Sequence, residues 1–583
     1  MLPTLLRRFL RPYSALLLAV GLLQLLQSLA SLYLPKLNAD IIDRGVLTGD
    51  TGHIVTTGAV MLGVSLLQIA AAIAAVWFGA KVAMRLGRDL RAAVFAQVAQ
   101  FSEREVQQFG APSLLTRSTN DVQQVQMLVL MVCSMAFTSL FLAVGGVAMA
   151  LSLDVALSRV MVLAVPVLLV VLGLIISRML PLFERMQGQT DDLNRVLREQ
   201  LSGIRVIRAF VTEDVETQRF AQANTAITET ALGVGRLFAL MFPVSMLILN
   251  LTSVAVVWFG ASRIEAGMEV GALIAFLSYL VQLLMAILIS TMLAFIAPRA
   301  AVSARRIGEV LNTSPSVRLD GTATTVPTPG LLEFCDVDFS YPGAERPVLQ
   351  NIRFTAAPGT TTAIVGATGS GKTTLVNLAA RLFDATAGSV RIGGVDVRTL
   401  HEDTLYAQLA LVPQRPYLFS GTVASNLRYG DPQASDAQLW QALEIAQARD
   451  FVAQLPQGLQ APIAQGGTNV SGGQRQRLSI ARAVVRRPRI YLFDDSFSAL
   501  DTATDARLRQ ALASHSDGAT RIVVAQRIAS ITSADQILLL EDGRISARGT
   551  HEELLHDCPA YAEIARSQME QTPTENTPQE GRP

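Results

Sequence analysis

The run Thr361-Thr362-Ala363-Ile364-Val365-Gly366-Ala367-Thr368-Gly369-Ser370-Gly371-Lys372-Thr373-Thr374 decides how the second half of this sequence folds. Its first five residues are β-branched or apolar and read as a buried strand. Gly366 to Thr373 fit G-x-x-x-x-G-K-[ST] at every position, and a helical pattern starts at Thr374. Glycines in such a loop let backbone N–H groups turn inward around phosphate oxygens, beside the positive end of the helix. Lys372 would reach the terminal phosphates, and the Thr373 hydroxyl would ligate Mg²⁺. The other lysines, Lys36 and Lys81, lie far upstream, so the only lysine of the second half stands where this chemistry requires one.

Working outward, a second apolar strand, Ile490-Tyr491-Leu492-Phe493, ends in Asp494, a carboxylate suited to holding Mg²⁺ through water. Between the two strands lies Val470-Ser471-Gly472-Gly473-Gln474, ahead of the basic amphipathic run Arg475 to Ala483. At a helix N-terminus the Ser471 hydroxyl and the Gly472 and Gly473 amides form an anion site. With these motifs in place the chain resembles ABC transporters. The resemblance implies that Ser471, Gly472, Gly473 and Gln474 bind the γ-phosphate of an ATP held by an opposing cassette. It implies that Tyr341 stacks on adenine and that Gly366, Ala367, Thr368, Gly369, Ser370, Gly371, Lys372, Thr373 and Thr374 cradle the phosphates. Gln414, in Leu411-Val412-Pro413-Gln414, resembles the glutamine that senses the γ-phosphate and touches the membrane domain, joining Thr373 and Asp494 around Mg²⁺. Asp501, in Ser498-Ala499-Leu500-Asp501, matches the loop that crosses the dimer interface. ATP and Mg²⁺ are the expected cofactors.

Two positions depart from the family pattern. A glutamate normally follows the Mg²⁺-binding aspartate and polarises the attacking water; here the residue is Asp495. Its carboxylate is one methylene shorter and retreats by roughly a bond length from a position set by the strand. After the strand Arg521-Ile522-Val523-Val524-Ala525 the family has a histidine, whereas this chain has Gln526. Glutamine donates a hydrogen bond but carries no charge and shuttles no proton near neutral pH. None of the five histidines, His53, His401, His515, His551 and His556, offers an obvious substitute. The expectation is a site that binds ATP and hydrolyses it poorly, beside an intact signature that serves a partner. That partner would be a homologous half-transporter supplying Glu and His.

The first half has a different solvent. Hydrophobic residues make up 50% of the 583-residue chain and charged residues 16%, against roughly 25% charged in soluble domains. The mean hydropathy is +0.38. A net charge of +1 gives no support to nucleic-acid binding, and Cys133, Cys335 and Cys558 have no metal-ligand spacing. No cleavable signal peptide is evident at the start. Six stretches free of Asp, Glu, Lys and Arg, at residues 13–35, 55–80, 127–151, 160–177, 237–262 and 270–298, are each near the ~17–25 residues that cross a bilayer. A charge at mid-membrane costs ~2.5–3.5 kcal/mol, which fits their composition.

Arginines set the orientation. Arg7, Arg8 and Arg11 lie at the N-terminus. Six basic residues between Lys81 and Arg117, and seven between Arg178 and Arg219, lie in the segments after spans two and four. Both termini are therefore expected in the cytosol of a bacterium, beneath its cytoplasmic (inner) membrane. Val196, Leu197, Leu201, Ile204, Ile207 and Phe210 recur at three and four residues, so the membrane helices should continue into the cytosol. Reversals are expected near Gly110–Asp121 and Gly203–Asp214. Gly203-Ile204-Arg205-Val206-Ile207-Arg208-Ala209-Phe210 resembles exporter-type members, in which these turns dock onto the cassettes. The fold class implied is a multidomain membrane protein: a six-helix all-α transmembrane domain of the exporter type (type IV), then an α/β P-loop NTPase cassette.

Expected boundaries are 1–311 for the membrane domain, 312–330 for a linker, 331–567 for the cassette and 568–583 for a disordered, polar tail. The polar residues Gln24, Gln27, Gln68, Asn250, Gln282 and Thr291 in the spans suit interhelical packing better than substrate contact. An uncharged cavity fits hydrophobic or amphipathic cargo, drugs or lipids, moved outward. A homodimeric exporter with slow ATPase, an importer of lipid-like substrates and an ATP-gated channel or regulatory subunit are the alternatives.

Overall fold

The computed structural model describes residues 1–515 and 518–570. The chain divides into two compact units, one of residues 1–99 and 111–313, the other of residues 100–110 and 314 onward.

Among the described residues the first unit has six helices long and apolar enough to cross a membrane: Leu2–Val46, Thr51–Val98, Ala111–Leu153, Val155–Ser202, Glu213–Glu265 and Val270–Asn312. This is a multi-pass membrane protein. The 48 residues of Val155–Ser202 make a helix about 72 Å long, more than twice the ~30 Å hydrocarbon core. The long extensions expected from the apolar periodicity are therefore present. Buried residues of Glu213–Glu265, such as Met241, Ser245, Leu249, Thr252 and Val256, fall three or four apart and face one stripe of neighbours. Pro166, Pro181, Pro243 and Pro298 lie inside these helices, as membrane helices tolerate. Gln24 is buried and donates to the Cys133 carbonyl at 3.0 Å, and it also pairs with Thr138. Gln282 reaches the Ser31 carbonyl at 3.4 Å and Thr291 bonds its own helix at Ile287. Gln24 and Gln282 thus bridge helices, whereas Thr291 bonds within its own; Asn250 is exposed.

The second reversal falls within the expected Gly203–Asp214, with a short helix Ile204–Phe210 ended by Val211 at φ +54°. The first differs from the expectation near Gly110–Asp121. A short helix, Glu103–Phe109, already makes the turn before Gly110, and the next long helix starts at Ala111. The reason is local: Ser102 and Glu105 form a capping box, Phe101 stacks on Phe109, and Gly110 leaves the helix at φ +75°. This segment belongs to the second unit, where Ser102 Oγ meets Ser316 Oγ at 2.8 Å and Glu105 accepts the Ser316 N–H.

The second unit is built on a six-stranded sheet. Its strands run Arg544–Gly549, Gln536–Glu541, Thr361–Val365, Thr520–Val524, Ile490–Asp494 and Leu409–Val412 in space. All neighbours are parallel except the edge pair 536–541 and 544–549. Strand 520–524 lies between 361–365 and 490–494, pairing Val524 with Ile364 and with Asp494. The carboxyl ends of these three strands therefore open on one edge, where ligands bind open α/β sheets. A smaller antiparallel sheet carries Leu332–Phe339 between Leu349–Ala356 and Ala387–Ile392.

The segment after Asn312 is held rather than free. Ala323 exchanges main-chain hydrogen bonds with Thr399 and His401, and the buried Arg381 donates to the Arg318 carbonyl at 2.7 Å. At the far end, helix Pro559–Glu570 runs past Gln568, where the sequence suggests a disordered tail. Gln568 makes two hydrogen bonds to the main chain of 526–528, which explains its order. The remainder of that expected tail, 571–583, lies outside the described residues.

Candidate functional site

The strand Thr361–Val365 is almost wholly buried, so its carboxyl end is fixed by core packing on both faces. The chain then turns through Gly366, Gly369 and Gly371, at φ +154°, +86° and +102°, and enters the helix Lys372–Ala379 two residues before Thr374. A Cβ on Gly366 would stand 2.1 Å from the Leu540 carbonyl oxygen, and one on Gly371 would stand 2.6 Å from Leu349 Cδ2. The loop is thus pressed against Leu540 of its own sheet and Leu349 of the smaller one, an approach that favours glycine.

Within this unit the loop borders a cavity of about 680 Å³. Its walls include Tyr341, Gly366, Ala367, Thr368, Gly369, Gly371, Lys372, Thr373, Thr374, Gln414, Asp494, Asp495 and Gln526. Most of the residues singled out from the sequence are therefore brought to one place. Ser370 is the exception within the loop: it is buried, and its Oγ has no hydrogen-bond partner among the described residues.

Lys372 Nζ donates to the carbonyls of Gly366 at 2.8 Å and Ala367 at 2.7 Å, folding back over the loop. Burial pushes its pKa down, and the carboxylates of Asp495 and Asp494 oppose that. The Thr373 hydroxyl donates to Asp494 Oδ1 at 3.0 Å. Burial raises the Asp494 pKa above the usual carboxylate value; the Thr373 hydrogen bond works against it. Asp495 adopts φ +47°, and its Oδ2 accepts amide hydrogens from Gln414 at 3.0 Å and Gln526 at 2.7 Å. Tyr341 stands edge-on to Phe339 and Phe383, with ring centroids 4.9 and 5.5 Å away, and its hydroxyl pairs with Thr374 Oγ1 at 3.0 Å.

These groups fit a Mg²⁺-bound nucleoside triphosphate. The loop has no room for side chains at its closest points, and Lys372 supplies a charge now spent on carbonyls. Thr373 and Asp494 supply hard oxygen donors. Among the described residues no group of three or more His, Cys, Asp and Glu could hold a metal by itself. The paired Thr373 hydroxyl and Asp494 carboxylate suit Mg²⁺, which takes its remaining ligands from phosphates and water.

The signature residues and Asp501 are not in this cavity. Ser471 caps the helix Gly472–Arg486: its Oγ accepts the Gln474 N–H at 3.2 Å, and Gln474 Oε1 accepts the Ser471 N–H at 2.9 Å. Gly473 lies close to the loop of Ser498–Asp501, with its Cβ position 3.5 Å from the Ala499 carbonyl oxygen. Asp501 caps the next helix through the Thr504 N–H at 2.9 Å, and that bond holds its carboxyl below the usual range. Two residues that line the cavity, Ile564 and Gln568, carry no motif signal. Only the helical spacing of Tyr561, Ile564, Ala565 and Gln568 on one face could have pointed to them.

Comparison with known proteins agrees with this architecture. The family model of the ABC transporter transmembrane region matches residues 17–287, and the model described as ABC transporter matches residues 349–498. An ABC transporter ATP-binding protein of Mycobacterium tuberculosis is 53% identical over 580 residues, covering 97% of this chain and 98% of its own. A multidrug efflux ATP-binding/permease protein of the same species is 35% identical over 494 residues, covering 84% of this chain and 41% of that longer protein. A fatty acid ABC transporter ATP-binding/permease protein, also from that species, is 33% identical over 456 residues, covering 78% and 72%. Among solved structures, a bacterial Atm1-family ABC exporter with ATP bound superposes with a TM-score of 0.80 at 25% identity, over 97% of this chain and 99% of that one.

Proposed function

The chain belongs to the ABC transporters, as an ATP-driven membrane protein of the exporter type, and on that premise we propose that it is the degenerate-site half of a heterodimer. The heterodimer moves hydrophobic or amphipathic compounds, drugs or lipids, outward across a bacterial cytoplasmic membrane, with the cassette in the cytosol.

One observation carries this reading. Asp495, at the position of the activating carboxylate, is a methylene short, and its Oδ2 already accepts two amide hydrogens, from Gln414 and Gln526. Only Oδ1 of this shortened carboxylate is left to orient and deprotonate water, and Gln526 cannot take the proton on. Bound Mg-ATP supplies the phosphoanhydride whose cleavage resets the cycle. Tyr341 and the loop 366–374 would bind it, Lys372 would offer its ammonium to phosphate oxygens, and Thr373 and Asp494 would hold the metal. Ser471–Gln474 lie outside this chain's own cavity, which supports their service to the nucleotide of a second cassette. Asp501 would stand at that dimer boundary.

The turn that follows span four supports coupling to a cassette. Phe210 is 74% exposed and Val211 83% exposed, apolar surface that a docked domain would cover. For cargo, the charge-free spans and the names of the multidrug and fatty acid relatives favour hydrophobic molecules. The test is co-purification with a homologous half-transporter that carries Glu and His, followed by phosphate release and flux into inside-out vesicles. The pair should hydrolyse ATP briskly and accumulate cargo against a gradient, with this chain alone nearly silent. Brisk hydrolysis by a proven homodimer would overturn the heterodimer.

A further inference from the structure

The described chain ends on the helix Pro559–Glu570, whose inner face is spaced i, i+3, i+4, i+7. Tyr561 and Ala565 are buried in the cassette core, and the Tyr561 hydroxyl pairs with His551 Nδ1 at 2.8 Å, so the helix is anchored at its start. Its other two inward residues, Ile564 and Gln568, reach the wall of the nucleotide cavity. There the Gln568 side chain makes a paired contact. Its Oε1 accepts the Ile528 N–H at 2.7 Å and its Nε2 donates to the Gln526 carbonyl at 2.8 Å.

One carboxamide thus satisfies both main-chain groups that flank Arg527. A neighbouring strand would do the same, but strand Thr520–Val524 ended two residues earlier. Without Gln568 the N–H of the buried Ile528 would lose its partner, a costly loss, and the exposed Gln526 carbonyl would turn to solvent and release the segment 526–528. With it, the backbone of Gln526 is held, and the Gln526 side chain is delivered to Asp495 Oδ2 at 2.7 Å.

We infer that Gln568 is a positioning residue of the nucleotide site: by clasping the main chain at Gln526 and Ile528, it sets where the Gln526 side chain stands and ties the helix Pro559–Glu570 to occupancy by the terminal phosphate. This rests on the reading above that the cavity takes ATP with Gln526 on its γ-phosphate side. The coupling is reciprocal: whatever the phosphate gains from a held Gln526, the helix gains from bound ATP and not from ADP.

The assembled transporter, with its partner present, tests this by photolabelling with 8-azido-ATP, read on this chain after separation from its partner on a gel. ATP and ADP compete for the label in the wild type, Gln568→Met, Gln568→Glu and Lys372→Ala. Gln568→Met keeps the length but removes both hydrogen bonds. It should raise the ATP concentration for half-competition about fivefold and leave that for ADP within about twofold. Gln568→Glu keeps the acceptor for Ile528 and sets a carboxylate against the Gln526 carbonyl. It should show the same selective loss, and it carries the test if Gln568→Met fails to assemble. Equal shifts for ATP and ADP mean a merely structural contact and overturn the inference, as does no shift. Lys372→Ala separates the two ideas: if it labels like the wild type, the nucleotide-site reading itself fails. If it loses labelling while Gln568→Met behaves as wild type, only the role of Gln568 fails.

Discussion

Gln526 donates its side-chain amide to Asp495 Oδ2 at 2.7 Å, joining two positions 31 residues apart at the ends of adjacent strands. The same oxygen accepts from Gln414 at 3.0 Å, so one oxygen of the Asp495 carboxylate is clasped by two neutral amides. Neither neighbour can relay a proton. On the proposed reading, the site holds nucleotide and turns it over slowly.

Restoring both residues should restore hydrolysis. The double variant Asp495→Glu, Gln526→His lengthens the carboxylate and replaces an amide with a titratable ring. General-base catalysis contributes about 10²–10⁴-fold, so phosphate release from this site should rise at least tenfold when a partner signature is present. Single-turnover assays with the partner's own site inactivated would measure it. An unchanged rate sinks the degenerate-site reading.

Asp494 should trade stability for metal binding. Burial raises its pKa above 3.8, so the folded state holds the proton more tightly than the unfolded one. As pH rises from 3.8 through the raised value the carboxyl must ionise against burial, and its contribution to stability falls; above that window the cost is fully present. Asp494→Asn should therefore raise the melting temperature of nucleotide-free protein at pH 7, by an amount that shrinks as pH falls into the window. The same variant should lose Mg²⁺-dependent ATP binding. A lowered melting temperature at pH 7 would contradict this account.

The loop glycines should differ in rank. Gly366→Ala would place a Cβ 2.1 Å from the Leu540 carbonyl oxygen at φ +154°, whereas Gly369 has φ +86° with nothing within 4 Å of its Cβ position. Gly369→Ala bears only the left-handed cost of about 1–2 kcal/mol. Gly366→Ala also displaces main chain and should cost more, with cassette unfolding in a proteolysis or thermal assay as the readout. Equal losses would show that the close approach to Leu540 is unimportant.

Ser471→Ala should separate the two nucleotide sites. It removes a helix cap worth about 1 kcal/mol and, on the proposed reading, the hydroxyl offered to the partner's phosphate. Photolabelling of this chain should persist, because Ser471 does not line its own cavity, while ATPase of the assembled pair should fall. A loss of labelling on this chain with hydrolysis intact would reverse the assignment.

Much of this was legible from residues close together in the chain. The six charge-free stretches, the glycine loop ending in Lys372 and Thr373, and the Ser471–Gln474 turn each carry their meaning within about ten to thirty positions, because span length, phosphate binding and helix capping are local physics. The first reversal comes earlier than Gly110–Asp121 because a capping box at Ser102 and Glu105 starts a short helix there. Only the tertiary structure decided which side chains meet at Asp495. Gln414 lies 81 residues before it and Gln526 31 after, and Gln568 reaches Gln526 from a further 42 residues on. Strand order in a parallel sheet brings such positions to one edge, and that order is set by packing of whole elements, which no short run of sequence records.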